Sequence, residues 1–303
     1  MIKTLFSLLF VMCCCCQMMA GGVTYTKADS VKVVKLLKEG IKHYNDSKSK
    51  ANARPLMLYY GHKLKGVPYV GSTLEVNKTE QLVVNLRQLD CTTLVETCLA
   101  LTLTTKQGSV KWADYLHNLQ RIRYEKGVMD GYASRNHYFV WWMESNTSQG
   151  IITQPIHDEA SRLAASKGSL PSFIARQTID ISWMTDHPDS YAMMKGKKDI
   201  INKVGQHERA TKGTVMYYIP QASLGLSKKD MKYVEDGDIL AIATKKKGLD
   251  TVHIGIAEWG ADGKLHLLNA SQVHKKVVLE SMTLKDYMSK HPVQIGIWVA
   301  RVV

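Results

Sequence analysis

The apolar residues of this chain change period along its length, and that change restricts the fold more than any other feature. Up to residue 124 they recur at helical spacing. After Asp90, the residues Leu94, Cys98 and Leu101 fall at i, i+4 and i+7, with Val95 and Leu99 alongside. Over 110–124, Trp112, Tyr115, Leu119 and Ile122 share one face. Ser30 is placed to cap an earlier helix running to about Tyr44, with Val33, Val34, Leu37 and Ile41 on one side. Pro55 suits the first turn of another helix, ending near Gly61 or Gly66. From residue 238 the pattern shortens. The segments 238–244, 251–259, 264–270, 276–280 and 293–302 read as short strands separated by turn signals. Helices followed by an antiparallel sheet make an α+β chain. Between them, 127–221 has no clear period. It holds an aromatic stretch at 137–142 and a helical pattern at 191–204, and is read as an insertion. No linker divides the chain, so 21–303 is expected to form a single domain.

The first twenty residues have the build of an export signal. Lys3 supplies the positive start, residues 5–12 an apolar run, and Met18-Met19-Ala20 a cleavage site before Gly21. The run is short of the roughly 20 residues that span a bilayer, so a transmembrane segment is not expected. The mature protein is therefore expected to be periplasmic or secreted. An outer-membrane lipoprotein is the rival, because Cys13 to Cys16 lie where a lipid anchor could attach. Against it, Met12 stands where lipidation wants a small residue.

Export simplifies the cysteines. Only Cys91 and Cys98 remain in the mature chain. On one helix they lie about 10 Å apart, too far for a disulfide. Leu89-Asp90-Cys91-Thr92-Thr93 puts Cys91 at a helix start, where unpaired N–H groups and the positive dipole end favour a thiolate and can receive an oxyanion. An inert structural thiol is the alternative there. Cys98, inside the apolar stripe, reads as core.

A nucleophilic thiol works with an imidazole held by a third polar group. Of eleven histidines, His253 opens the strand at 251–259, and Asp262-Gly263 signals a hairpin to the strand that carries Asn269 and Ser271. A three-residue loop pairs Gly260 with Lys264, sets His253 opposite Ser271 and makes Asn269 its diagonal neighbour on the same face. A two-residue loop turns Asn269 away. Asn269 is thus permitted as orienter, with Ser271 the runner-up. His62, His187, His207, His266 and His274 read as surface or locally hydrogen-bonded. No metalloprotease spacing is present, so neither a metal nor another cofactor is expected. The net charge of +13, from 40 Lys+Arg against 27 Asp+Glu, suits an anionic partner. With no arginine-rich arm and no zinc-finger spacing, it reads as a solvated basic surface and not as a nucleic-acid interface.

These motifs together resemble the NlpC/P60 cell-wall hydrolases: Gly66-Val67-Pro68-Tyr69, Asp90-Cys91, Gly237-Asp238-Ile239-Leu240, His253-Ile254-Gly255 and Asn269, in that order. The stretches 69–75, 86–96 and 135–139 are similar to the N-acetylmuramoyl-L-alanine amidase-like branch common in Bacteroidetes. The likeness runs over about 53–301. It implies a papain-like fold, a cysteine-bearing helix packed on a histidine-bearing antiparallel sheet. It also implies Cys91 as nucleophile, His253 as base, Asn269 as third member and Tyr69 near the oxyanion. Arg135 and His137 become candidates to bind a lactyl or peptide carboxylate, with a structural role open for both. The 162 residues separating Cys91 from His253 exceed a minimal domain, and 127–221 is expected to shape the substrate groove. The implied substrate is peptidoglycan or muropeptide fragments, cut between N-acetylmuramic acid and L-alanine. A D-glutamyl–diamino acid endopeptidase on the same scaffold and a non-catalytic wall-binding protein remain as alternatives.

Overall fold

A computed structural model of the chain describes residues 22–47 and 55–303; the export signal and possible lipid anchor fall outside the described residues. The first helix, α1 (Lys27–Ser47), begins before Ser30 because Thr26 and Asp29 cap it reciprocally. The Thr26 N–H donates to the Asp29 carboxylate (2.9 Å), and the Asp29 N–H donates to the Thr26 hydroxyl (3.3 Å). Ser30 lies inside the first turn, its hydroxyl donating to the Lys27 carbonyl. Asp29 also accepts the N–H of Leu86 (2.9 Å), which ties α1 to the segment entering the cysteine-bearing helix.

After α2 (Leu56–Lys63) that helix, α3 (Cys91–Lys106), is followed by α4 (Trp112–Arg123). The spacing predicts one apolar stripe on α3, but the helix is buried almost all round, down to Thr97, Thr102, Thr104 and Thr105. It is the central rod of the fold, with α1, α2 and α4 around it and the sheet beneath. Burying Leu94, Leu99 and Leu101 there contributes about 1.5–3 kcal/mol each. Thr104 is satisfied there: its hydroxyl donates to the Ala100 carbonyl (2.7 Å) and accepts from Asn118 (3.0 Å).

A parallel pair, β1 (Val23–Thr24) and β2 (Leu82–Val83), lies apart from the main sheet. The segment 127–221 supplies α5 (Phe139–Ser148), β3 (Ile152–Thr153), α6 (Pro155–Ala165), β4 (Ala175–Thr178), α7 (Trp183–Asp186), α8 (Lys198–Thr211) and β5 (Val215–Pro220). The helix expected at 191–204 thus starts only at Lys198. Gly196, at φ +70°, breaks the chain just before it. Next come β6 (Ile239–Thr244), β7 (Thr251–Trp259), β8 (Leu265–Ser271), β9 (Lys276–Leu279), α9 (Leu284–Ser289) and β10 (Gln294–Val302).

The main sheet runs β4-β5-β10-β6-β7-β8-β9, with β3 also paired to β10. The C-terminal strand therefore sits mid-sheet, and 127–221 extends the sheet on its far side. Ile254, Ile256, Leu268, Ala270 and Val277 join the core beneath α3. Leu240, Ile242, Ala257, Leu265 and Leu267 join a second core, closed by Leu284 and Met288 of α9. By alternation His253, Asn269 and Glu280 share the α9 side. The hairpin register is the three-residue one: Ile256 pairs with Leu268 and Trp259 with Leu265, and the Gly260 N–H donates to the Lys264 carbonyl (2.8 Å). Two motif glycines have steric reasons. A Cβ on Gly255 would meet the Leu268 carbonyl at 2.7 Å, and Gly237 enters β6 with φ +90°. Its neighbour Asp238 is structural, accepting two 2.8 Å bonds from the Arg301 guanidinium.

Candidate active site

Cys91 is the first residue of α3, and Asp90 caps the helix. The Asp90 carboxylate accepts from the Thr93 N–H (2.8 Å), and the Asp90 N–H donates to the Thr93 hydroxyl (2.9 Å). This box satisfies Asp90 and Thr93 and leaves the N–H groups of Cys91 and Thr92 outside it, at the positive end of the helix. Cys91 is partly exposed and unbridged. Cys98, seven residues on, is fully buried, and burial pushes its thiol far above the ordinary range.

His253 stands close enough to Cys91 for the thiol to act on its ring. On the other side of the ring, His253 Nε2 lies 3.0 Å from Asn269 Oδ1. An amide oxygen only accepts, so Nε2 carries the proton and Nδ1 is left for the thiol. Burial disfavours the imidazolium, but Cys91, Asn269 and Glu280 outweigh it and hold His253 above the ordinary histidine value. The hairpin thus joins the imidazole to the amide, and the start of α3 brings the thiol beside them. Tyr69 joins them. It is anchored by its N–H to the Lys275 carbonyl (2.9 Å), and its hydroxyl is raised by burial and by the nearby Cys91 and Asp90.

A cleft of about 210 Å³ opens beside this line, walled by Thr92, His137, Tyr138, Trp142, Trp183, Tyr191 and Asp250 among others. Half of that wall comes from 127–221. His137 reaches it, while Arg135 does not. The Arg135 guanidinium is buried against Glu75 and Glu80 and stacks on Tyr132 at 4.7 Å, so its charge is already matched by protein carboxylates. The Nε2–H of His137 donates to the Tyr132 carbonyl (2.8 Å), and burial together with Arg135 keeps this ring neutral. It offers the cleft an acceptor nitrogen at most, which does not suit a carboxylate. Trp183 carries Lys246 over its ring at 4.0 Å and the stacked His187 ring at 4.0 Å.

Two neighbours escape a reading of the sequence. Tyr287 of α9 stacks near His253 at 6.4 Å between ring centroids. Glu280, buried just past β9, bonds to the amide of Asn269. Glu280 had a signal: it ends the alternating segment 276–280 in phase with Val278, the residue paired with Asn269. Among the described residues no group of three or more His, Cys, Asp and Glu side chains is placed to hold a metal ion.

The model of the AmiA-like family, described as N-acetylmuramoyl-L-alanine amidase-like, matches residues 59–297. The chain belongs to this family. Solved relatives agree with it. An N-acetylmuramoyl-L-alanine amidase from Bacteroides uniformis is 35% identical, with a TM-score of 0.72 over 82% of this chain and 97% of that one. A putative xylanase from Bacteroides fragilis is 33% identical, with a TM-score of 0.72 over 81% of this chain and 100% of that one. A Legionella pneumophila protein at 21% identity and TM-score 0.60, covering 91% of this chain and 95% of that one, shares the fold. No curated protein matches the chain. The chain is thus a mixed α+β protein with an antiparallel sheet, consistent with the amidase-like fold, and no helix among the described residues is long and apolar enough to cross a membrane.

Proposed function

We propose that the protein is an exported cysteine amidase of the NlpC/P60 type, acting on peptidoglycan or muropeptide fragments at the bond between N-acetylmuramic acid and L-alanine. The observation that carries this reading is the line Cys91–His253–Asn269, built at the N-terminus of a buried helix in a chain of an amidase-like family. The packing of the cysteine-bearing helix α3 on the antiparallel strands β7 and β8 supports it. The wall contributed by 127–221 supports a groove shaped for substrate by that segment.

In the proposed reaction, His253 Nδ1 takes the Cys91 thiol proton, Sγ attacks the lactyl carbonyl carbon, and the N–H groups at the start of α3 receive the oxyanion, with Tyr69 alongside. The tetrahedral adduct collapses as the His253 imidazolium gives its proton to the leaving alanine nitrogen. The C–N bond breaks and a thioester remains. Water then loses a proton to His253 and attacks the thioester, and Sγ departs as thiolate. Asn269 holds the ring throughout. His137, neutral and with its N–H committed, serves as an acceptor for a substrate N–H or O–H. A glycosidase reading, which the name of the Bacteroides fragilis relative raises, needs two carboxylates flanking the scissile bond. Asp250 is the one carboxylate among the cleft-lining residues, and it accepts the N–H groups of Val140 (2.8 Å) and Thr251 (2.6 Å).

The test is mass spectrometry of defined muropeptides incubated with the mature protein. Release of an intact stem peptide beginning at L-alanine, with free sugar, is expected. Release of a sugar still bearing L-alanyl-D-glutamate would move the cut to the endopeptidase position. No product from any muropeptide would leave the wall-binding alternative.

A further inference from the structure

The polar line behind His253 does not end at Asn269. The Asn269 amide nitrogen donates to Glu280 Oε1 (3.0 Å) and faces the Leu267 carbonyl (3.4 Å). Glu280 Oε2 in turn bonds to His274 Nε2 (3.1 Å), whose side chain is 47% exposed at the molecular surface. Asn269 is fully buried and Glu280 is 3% exposed, so neither can substitute water for these partners. The strands fix the placement. Asn269 pairs with Val278 and Leu268 with Leu279, which sets Glu280 opposite Leu267 and diagonal to Asn269 on one face.

The chemistry of these partners decides which way the amide points. An asparagine side chain is nearly symmetric in shape, and only its neighbours separate oxygen from nitrogen. Both groups around the Asn269 nitrogen are pure acceptors, a carboxylate and a carbonyl. With the nitrogen turned to them, the oxygen must face His253. Reversed, the amide oxygen would abut two acceptors, leaving buried lone pairs unpaired at a cost of about 1–3 kcal/mol.

We propose that Glu280 is a positioning residue of the active site, whose buried carboxylate locks Asn269 with its oxygen toward His253 and so fixes the His253 tautomer that presents Nδ1 to Cys91. This rests on the assignment of Cys91 and His253 as the reacting pair, and it adds a fourth member, linked through His274 to the surface. Glu280 touches neither the thiol nor the cleft and acts through Asn269. The charged and titratable groups around His253 are Cys91 from α3, Glu280 beyond β9 and Tyr287 from α9, so removing the carboxylate changes both orientation and charge.

The test compares wild type, Glu280→Gln and Glu280→Asp by muropeptide turnover and by the pH-dependence of Cys91 alkylation with iodoacetamide, which needs no substrate. A glutamine at 280 can turn either an amide hydrogen or an oxygen toward Asn269, so the lock is weakened to what the Leu267 carbonyl alone supplies. For Glu280→Gln the expected result is a kcat about 10- to 100-fold lower, the range for outer partners that orient a working imidazole, with KM unchanged. The alkylation profile should shift too, while Glu280→Asp recovers part of both. Wild-type kcat and an unchanged alkylation profile in Glu280→Gln would overturn the proposal. Should Glu280→Gln unfold, His253 ring-nitrogen NMR of wild type decides: a proton fixed on Nε2 supports the lock, and a tautomer mixture overturns it. The amidase reading fails separately, if wild type cuts no muropeptide while the alkylation profile still responds to Glu280→Gln.

Discussion

Two buried polar networks lie on opposite sides of α3, and they differ in where they lead. On the helical side, Arg123 meets Glu96 at 2.7 Å and the Val83 carbonyl at 2.7 Å, while Tyr124 donates to Glu80 at 2.7 Å and Arg135 pairs with Glu75 and Glu80. Every charge there is answered by another protein charge, and the network closes on itself. On the sheet side, the line His274–Glu280–Asn269–His253 ends at a partly exposed thiol beside a cleft. Burial alone therefore says little about function. A closed network fixes the fold, whereas one with an end at a reactive atom can do chemistry.

The largest expected effect breaks the open line. His253→Ala should lower turnover by about 10⁴-fold or more, since the proton donor and acceptor for both steps is lost. Steady-state assay of the folded variant checks it. Breaking the closed network should act on stability instead. Glu96→Ala leaves Arg123 buried and unpaired, with an expected cost of about 3–5 kcal/mol in chemical denaturation and turnover per folded molecule unchanged. Asn269→Ala should fall between these, losing on the order of 10²-fold in kcat with an intact fold by circular dichroism.

The smallest effect is a titration. Cys91 is the foremost of the partners that raise His253 against burial. In Cys91→Ala the imidazole should therefore titrate at lower pH than in wild type, read by NMR. The sign for stability follows. With a raised folded-state value, protonated His253 stabilises the fold fully below the unfolded value near 6.5, and this contribution disappears as pH rises through the folded value. In Cys91→Ala that pH-dependent increment should shrink.

The sheet and the positions of the candidate pair, Cys91 and His253, were legible because local rules govern them. Alternation and turn residues placed the strands over 238–302 to within a residue or two, while Asp262-Gly263 signalled the hairpin but left open the register that carries Asn269 to His253. The start of α3 was legible from Asp90 alone, because its cap is local. Less was readable where partners lie far apart in sequence. For Arg135 the sequence left a carboxylate ligand and a structural role both open, and its match is Glu75, 60 residues away. His274 read as a local surface histidine, and Glu280 as the end of a strand. Their roles depend on a carboxylate held between β8 and the turn beyond β9. The helix α8 was misplaced because a stretch of turns through Gly196 mimics helical spacing.

The most direct measurement is muropeptide turnover by Cys91→Ala beside Glu96→Ala, each normalised to its folded fraction. Loss of all turnover in Cys91→Ala, with wild-type turnover in Glu96→Ala, is the result predicted for an open catalytic line and a closed structural network. Turnover near wild type in Cys91→Ala would contradict the account at its centre.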